Sequence, residues 1–418
     1  MKTDFQNKVS SILVWLFFFT LPWQTKLILG PAGNNYSEIA LYFFQFSASL
    51  LLTWEIICLL RRSDLARLPR RIIMLVVLEL LIFASIFFAP YPLLGLFRYL
   101  ALFLGLTTYV VFQYLEPGKS ATWQRAFLWG LLPSLLLGVW QFLFQSSFAS
   151  SWLGLALHDP TILGTSVIEA GGRFLRPYGS FDHPNIFGGI SALATLLSAS
   201  VFFRQRRPTY LFFSFFFFFC AFISFSRAVW LALAIGAAIL VFERLVLGWR
   251  KAGPVIPWVA SLFLFSLVLT SLFLPLISSR VSLSGRLEQK SIEERASLWQ
   301  QGKEVFSGNL LTGVGLGNYI PYLMEKDMQK QPDWQYQPVH NSFLLFGSEI
   351  GIFGLAVFLG FFILVFVRSV RSGYLALTLP LFVLMSFDHW FWSLPFGLLF
   401  LFVFLAVSER KDEEGIMR

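Results

Sequence analysis

The stretch VHNSFLLFGSEIG (339–351) begins an apolar segment that continues to about residue 367. A run of this length can cross a bilayer as a helix. It nevertheless opens with His340 and Asn341, and it carries Glu349 further along. Polar groups at membrane depth cost free energy. The first two residues therefore indicate that the helix starts at a membrane surface, and Glu349 predicts a hydrogen-bonded contact inside a helix bundle.

The rest of the chain has the composition of a polytopic membrane protein. Of its 418 residues, 56% are hydrophobic and 13% are charged, whereas charged residues make up about 25% of an ordinary soluble domain. Runs of about 17–25 apolar residues indicate membrane spans. The sequence therefore predicts an all-α membrane protein, a single integral membrane domain over 1–418. About 12 transmembrane helices are expected, at roughly 9–29, 38–60, 72–89, 91–115, 126–147, 186–203, 209–225, 228–247, 255–278, 341–367, 374–387 and 394–408.

The distribution of basic residues predicts the orientation of these helices. The net charge is +9, and most Lys and Arg residues fall in one set of short loops and tails. The other short loops hold only Lys26, Arg173, Arg176 and Arg227. The positive-inside rule places the first set, with both termini, in the cytoplasm. The long segments 148–185 and 279–340 then become extracytoplasmic loops, and no nucleic-acid partner is expected.

Even-numbered helices begin at the outer face in this orientation. Their free N–H groups and the positive end of the helix dipole attract anions. Helix six follows RPYGSFDHPN (176–185), in which Asp182 is expected to cap the helix and Pro184 to occupy its first turn. Arg176 opens this stretch and is expected to lie close to the helix start.

Two further outer helix starts carry Arg227 and His340. Helix eight follows SFSRAVW (224–230), where Ser226 can cap the helix and Arg227 enters its first turn. Helix ten starts at His340, with Asn341 as its expected cap. These cationic side chains oppose the helix dipole. Either they are interfacial anchors or a bound anion offsets the conflict, and their recurrence on one side favours the anion.

The large outer loop contains SIEERASLWQQGKEVF (291–306), which is predicted to form an amphipathic helix. Ser291 and Glu294 have the spacing of a capping box. Arg295 falls on the apolar, inward stripe of this helix. A structural carboxylate or a phosphate group can partner an arginine at such a position. The other members of the stripe are Ile292, Trp299 and Phe306.

The glycine-rich stretch TGVGLGNY (312–319) follows that helix. It has no strand before it and no Gly-Lys-Ser/Thr sequence, so it lacks the features of a phosphate-binding loop. The stretch instead predicts a tight turn that returns the chain to the membrane.

Two charged residues fall within the predicted bundle. Glu79 of helix three and Arg98 of helix four lie at similar depth in an antiparallel hairpin. This predicts either an ion pair between them or an arginine that reaches toward the outer site.

These outer residues limit the possible chemistry. The outer loops are expected to contain no Asp-x-Asp pair and no His/Cys cluster, so neither a metal nor another cofactor is predicted. Arg176, Arg227 and Arg295 near His340 suit a reaction whose leaving group is a pyrophosphate already on a membrane lipid. Arginines stabilise the charge that develops on such a leaving group, and a histidine can take the proton from an attacking hydroxyl.

The motifs RPYGSFDHPN, SFSRAVW, Arg-x-x-x-Trp at 295–299, GVGLGNY and HNSFLLFGSEIG, in this order, resemble the O-antigen ligase / O-antigen polymerase superfamily of the Wzy-C type. The resemblance covers about 170–355. It implies a metal-independent, inverting glycosyltransferase of the bacterial inner membrane, which moves a glycan from undecaprenyl pyrophosphate to an acceptor hydroxyl on a lipid or glycan. The active site would lie on the periplasmic face.

The resemblance also implies roles for individual residues. His340 would be the catalytic base, and Arg227 and Arg295 would bind the pyrophosphate of the donor, with Arg176 as a further contact. Apart from the resemblance, the supporting residues of the site are expected to be Asn341, Asn185 and Arg98. This sequence departs from the family pattern at Thr312, where many members have a proline-containing approach to the turn. Arg286 is a rival to Arg295 but lacks the spacing to a tryptophan.

Several functions fit these motifs. A ligase, a polysaccharide polymerase and a protein O-oligosaccharyltransferase share them, and the acceptor is not encoded in any recognisable residue. A lipid-linked glycan transporter without chemistry is the alternative from another class. Transporters carry polar residues through the bilayer midplane, whereas the polar residues here cluster at the outer face, which favours an enzyme.

Overall fold

The computed structural model describes residues 2–30, 34–60, 70–114, 117–246, 253–282 and 285–409. Some basic residues that predicted the orientation lie outside these ranges, namely Arg61, Arg62, Arg67, Arg250, Lys251, Arg410, Lys411 and Arg418. The helices are α1 (Lys2–Thr20), α2 (Phe43–Leu60), α3 (Arg70–Ile86), α4 (Pro92–Tyr114), α5 (Pro117–Phe144), α6 (Pro184–Gln205), α7 (Pro208–Ile223), α8 (Arg227–Val246), α9 (Val255–Leu272), α10 (Leu274–Ser282), α11 (Arg286–Gly308), α12 (Tyr319–Lys326), α13 (Ser342–Ser372), α14 (Leu375–Phe387), α15 (Trp390–Ser393) and α16 (Pro395–Ser408).

Two short antiparallel hairpins accompany the helices. In the first, β1 (Lys26–Ile28) pairs with β2 (Ala40–Tyr42). In the second, β3 (Val167–Glu169) pairs with β4 (Arg173–Leu175) inside the loop that was expected at 148–185. Helices therefore dominate the fold, as predicted.

Apolar helices confirm a multi-pass membrane protein. Within the described ranges, seven helices are long and apolar enough to cross a bilayer: Phe43–Leu60, Pro92–Phe112, Ala121–Phe144, Pro184–Gln205, Arg227–Val246, Val255–Leu272 and Ser342–Ser372. Shorter apolar helices occupy Ile72–Ile86, Pro208–Ile223, Leu375–Phe387 and Pro395–Ser408. The total of twelve spans remains a prediction.

The chain forms two compact units, and the single domain over 1–418 stays a prediction. The first unit comprises Met1–Gly130, Arg295–Arg368 and Met385–Arg418. Its centre is α16, which is buried along its whole length. Gly105 of α4 allows close packing there, because a Cβ at this position would lie 3.0 Å from the carbonyl oxygen of Leu398. The second unit comprises Leu131–Glu294 and Ser369–Leu384, and its most buried helix is α6.

Helix α13 is broken at Gly351, where φ is 76° and ψ is −178°. The break leaves the carbonyl groups of the preceding turn without helical partners. The N–H of Val314 donates to the oxygen of Ser348 at 2.9 Å, and the N–H of Gly315 donates to the oxygen of Glu349 at 2.8 Å. The glycine-rich stretch therefore packs against the break, which confirms that it is a turn. Its return to the membrane stays a prediction.

The helix starts that were predicted to lie at the outer face agree in part with the predicted caps. Helix α13 is capped as predicted, since the side-chain oxygen of Asn341 accepts the N–H of Leu344 at 2.8 Å. Helix α6 begins at Pro184, but the predicted cap Asp182 is wrong. The Nδ1 atom of His183 accepts the N–H of Asn185 at 3.1 Å instead. A ring nitrogen one residue nearer the helix makes the capping contact.

Helix α11 differs from its prediction. It starts at Arg286, so the capping box at Ser291 lies inside the helix and is wrong as a start signal. Ile292 and Trp299 are 43% and 44% exposed, so the predicted inward stripe is wrong for them. The helix is rotated about its axis relative to the prediction, because its closest contact is made by the face that carries Gly302. A Cβ at this position would lie 3.0 Å from the Cβ of Val339. Arg295 is half-buried.

The predicted pair between Glu79 and Arg98 is not among the contacts of the described residues. Glu79 accepts a hydrogen bond from the hydroxyl of Tyr99 at 3.0 Å. Arg98 donates to the carbonyl oxygen of Asn35 at 2.9 Å. Each charged group therefore has a hydrogen-bond partner other than the predicted one.

The break in α13 leads to a stability prediction. Gly351→Ala places a methyl group 2.2 Å from the carbonyl oxygen of Leu311 and retains a positive φ. We expect a loss of roughly 3 kcal/mol or more in the free energy of unfolding. Gly373→Ala is the matched control, because Gly373 also has a positive φ (69°) but no atom within 4 Å of its added Cβ. It should cost about 1–2 kcal/mol. Thermal unfolding in detergent measures both, and equal losses would contradict the packing account.

Candidate active site

A cluster of two histidines and an aspartate lies in the first unit. His340 directly precedes the cap of α13, and Asp388 and His389 lie in the loop between α14 and α15. The Nδ1 atom of His340 is 3.6 Å from Oδ1 of Asp388, and Nε2 of His389 is 3.9 Å from the same oxygen. The two imidazole rings are 4.8 Å apart between centroids. We call these three residues the histidine cluster.

The start of α13 holds the aspartate segment in place. The side-chain amide of Asn341 donates to the carbonyl oxygen of Ser386 at 3.0 Å. The hydroxyl of Ser342 donates to the carbonyl oxygen of Asp388 at 2.7 Å. The residue that caps α13 and the residue after it thus position the carboxylate beside His340.

Glu349 makes the predicted contact within the bundle. The indole N–H of Trp392 donates to its Oε2 at 2.7 Å, and the N–H of Tyr319 donates to its Oε1 at 3.3 Å. Trp392 belongs to α15, and Tyr319 begins α12. Glu349 therefore connects the glycine-rich turn to the helix that directly follows His389.

The environment of His389 keeps its ring neutral. The ring is buried, and its Nδ1 lies 2.7 Å from the hydroxyl oxygen of Ser393. The pKa of His389 is lowered to about 3, mainly by burial; electrostatic contributions of His340 and Arg295 act in the same direction, and that of Asp388 opposes them. Arg295 therefore affects the histidine cluster through its positive charge.

Arg98, predicted as a supporting residue, lies under the glycine-rich turn. It is 3% exposed, and a Cβ on Gly317 would lie 2.7 Å from its Cγ atom. One guanidinium nitrogen donates to Asn35, and the Nη1 atom is buried without a hydrogen-bond partner among the described residues. Arg98 therefore supports the turn. It takes no part in the three contacts that define the histidine cluster.

Three arginines surround the turn between α7 and α8 in the second unit. The Nε of Arg176 donates to the carbonyl oxygen of Ser224 at 2.8 Å, and the Nε of Arg280 donates to that of Phe225 at 3.0 Å. Arg227 starts α8 as predicted, and its Nη1 donates to the carbonyl oxygen of Arg280 at 3.3 Å. We call Arg176, Arg227 and Arg280 the arginine cluster.

Arg176 connects this cluster to the start of α6. Its Nη2 donates to Oδ1 of Asn185 at 2.9 Å, and its Nη1 donates to the hydroxyl of Ser166 at 3.0 Å. The side chain is 4% exposed. Asn185, predicted as a supporting residue, therefore orients Arg176.

A carboxylate already contacts two of the arginines. Glu288, 4% exposed, lies at the start of α11. Its Oε2 is 3.3 Å from Nη2 of Arg227, and its Oε1 pairs with Nη1 of Arg280. Any anion that binds Arg227 must share it with this carboxylate. Arg286, the sequence rival of Arg295, instead pairs with Glu169 at 3.0 Å, with its own side chain 76% exposed.

Sequence reasoning missed Asp388, His389, Arg280 and Glu288. Asp388 and His389 interrupt two apolar runs, at 374–387 and 394–408, and that interruption was the signal that could have identified them. The expectation of no His/Cys cluster is wrong, because the described residues bring His340 and His389 together with Asp388.

Comparison with known proteins agrees with the predicted resemblance. Residues 212–359 match the family model described as O-antigen ligase, which confirms the similarity to that superfamily. The matched segment contains Arg227, Arg295, His340 and the glycine-rich turn. No curated protein matches the chain.

The contacts of Glu288 predict unequal effects of two similar substitutions. Glu288→Gln leaves the buried guanidinium group of Arg280 and the half-buried one of Arg227 beside a neutral amide, so we expect a loss of about 3 kcal/mol in the free energy of unfolding. Glu169→Gln removes the partner of the exposed Arg286 and should cost less than about 1 kcal/mol. Thermal unfolding of the two variants checks this difference. A Glu288→Gln variant as stable as Glu169→Gln would show that the buried contacts are not stabilising.

Proposed function

We propose that the protein is a membrane glycosyltransferase. It transfers a glycan from undecaprenyl pyrophosphate to an acceptor hydroxyl, with inversion at the anomeric carbon and without a metal ion in the transfer step. The observation that carries this proposal is the position of His340: it lies in the segment that matches the O-antigen ligase family, with Asp388 3.6 Å from its Nδ1. The reaction takes place at the extracytoplasmic face of the bacterial inner membrane.

His340 is the general base in this proposal. When Nδ1 carries the ring proton and faces Asp388, Nε2 has a free lone pair that can accept the proton of the acceptor hydroxyl. A separation of 3.6 Å is longer than a hydrogen bond, and such contacts often tighten when substrate binds. The oxygen of the acceptor then attacks the anomeric carbon, and the bond from that carbon to the pyrophosphate oxygen breaks.

Arginines stabilise the leaving group. The electron pair of the broken bond goes to the pyrophosphate, whose charge increases as the bond lengthens. Arg227 and Arg295 donate to its oxygens, and Arg176 is a further contact. Guanidinium groups bind phosphate oxygens through two parallel N–H bonds, which gives both strength and orientation.

The first test is transfer by the purified chain from a glycan on undecaprenyl pyrophosphate to an acceptor, with a chelator present. His340→Ala should lower kcat/KM about 10²–10⁴-fold, because it removes a general base, with donor affinity little changed. Full transfer by this variant, or loss of transfer on chelation alone, would contradict the proposed mechanism.

Arg295→Ala tests the phosphate contact. Loss of a charge-assisted hydrogen bond should weaken donor binding about tenfold or more. Arg286→Ala is the matched control, since this arginine of the same helix is exposed and paired with Glu169, and it should leave donor binding unchanged. Equal donor affinity in the two variants would show that Arg295 does not bind the donor.

The identity of the acceptor is tested in cells. Mass spectrometry of surface glycans in a deletion strain distinguishes three outcomes: uncapped lipid for a ligase, shorter chains for a polymerase, and unmodified protein for a protein glycosyltransferase. Movement of the lipid-linked donor by the purified chain with no new glycosidic bond would overturn the enzymatic proposal in favour of a transporter.

A further inference from the structure

We infer that His340, Asp388 and His389 form a binding site for a divalent transition-metal ion such as Zn²⁺. The bound ion prevents His340, the proposed base, from accepting a proton. Metal binding requires only the three ligands, whereas the blocking of the base rests on the proposed function.

The spacing of the three ligand atoms fits a zinc site. One nitrogen from each histidine and one oxygen of the aspartate all lie within 4.8 Å of one another. Two of the separations are 3.6 Å and 3.9 Å. Tetrahedral zinc with bonds of about 2.0–2.2 Å requires ligands roughly 3.3 Å apart. Small side-chain movements therefore bring the three atoms to bonding distance.

The surroundings orient the ligands as protein zinc sites do. Histidine ligands usually bond their second ring nitrogen to a polar partner, which fixes the ring. Nδ1 of His389 has such a partner in the hydroxyl of Ser393 at 2.7 Å, so its Nε2 faces the aspartate. The backbone of Asp388 is held by Ser342 at 2.7 Å.

The ring of His340 gives a further reason to expect a metal ion. Its Nδ1 is buried and has no hydrogen-bond partner among the described residues. Buried polar atoms normally have a partner, and a metal ion between this nitrogen and Asp388 would supply one.

The donor set selects the class of metal. Two imidazoles and one carboxylate suit Zn²⁺, Ni²⁺, Cu²⁺ or Co²⁺, whereas Mg²⁺ and Ca²⁺ prefer oxygen ligands. Three protein ligands leave one position for water or an anion. The site therefore binds zinc-like ions and discriminates against Mg²⁺.

Metal binding changes the chemistry of His340. A neutral imidazole carries one ring proton. When the metal bonds to Nδ1, that proton must reside on Nε2, which then donates a hydrogen bond and cannot accept a proton. An ion at the histidine cluster should therefore inhibit any reaction that uses Nε2 of His340 as a base, and a chelator should reverse the inhibition.

Metal binding is tested on the full chain, purified in detergent with any affinity tag removed. Equilibrium dialysis against Zn²⁺, followed by elemental analysis, should give one ion per chain, and an excess of Mg²⁺ should not displace it. With Co²⁺, the visible absorption should have the intensity typical of four-coordinate cobalt. Sub-stoichiometric binding of Zn²⁺, or displacement by Mg²⁺, would overturn the inference.

The chain has four histidines, which supplies matched controls. His389→Ala and Asp388→Asn should each weaken Zn²⁺ binding at least tenfold, while His158→Ala and His183→Ala should leave it unchanged. His389→Gln serves if the alanine variant does not fold, because it retains the size and a polar end. Unchanged binding in the cluster variants, or equal losses in the control variants, would place the metal elsewhere.

Inhibition is measured last and separately. The binding experiments use no transfer assay, so their failure would leave the proposed transferase standing. Conversely, stoichiometric binding together with an inactive chain would contradict the proposed function alone.

Discussion

The break of α13 at Gly351 is the feature on which the arrangement of the first unit depends. An unbroken helix would use the carbonyl groups of Ser348 and Glu349 within itself. Because the helix is interrupted, these two groups accept the N–H groups of Val314 and Gly315 at 2.9 and 2.8 Å. The glycine-rich turn is thereby hydrogen-bonded to the helix that carries His340 at its start.

The side chain of Glu349 extends this connection to the aspartate segment. Its carboxylate accepts hydrogen bonds from Tyr319 and from Trp392, three residues after His389. Asn341 and Ser342 hold the other end of the same segment. The residue that was hardest to explain within an apolar helix therefore has a structural role: it helps to fix the loop that brings Asp388 and His389 to His340.

The sequence predicted those features that depend on short-range chemistry. Asn341 as a cap, Pro184 in a first helical turn and the glycine-rich turn follow from local backbone preferences. Asp388 next to His340 could not be read in this way, since 47 residues separate them in the chain and the contact exists through packing. The rotation of α11 likewise depends on Gly302 against Val339, a contact that helical periodicity does not encode.

The proposed chemistry requires that His340 and Asp388 act together. The most direct measurement is a double-mutant cycle on kcat/KM for glycan transfer, with His340→Ala, Asp388→Ala and the double variant. If the carboxylate acts by orienting the base, the double variant should transfer at nearly the rate of His340→Ala alone, a strongly non-additive result. Losses that multiply in the double variant would show that the two side chains act independently and would contradict the account.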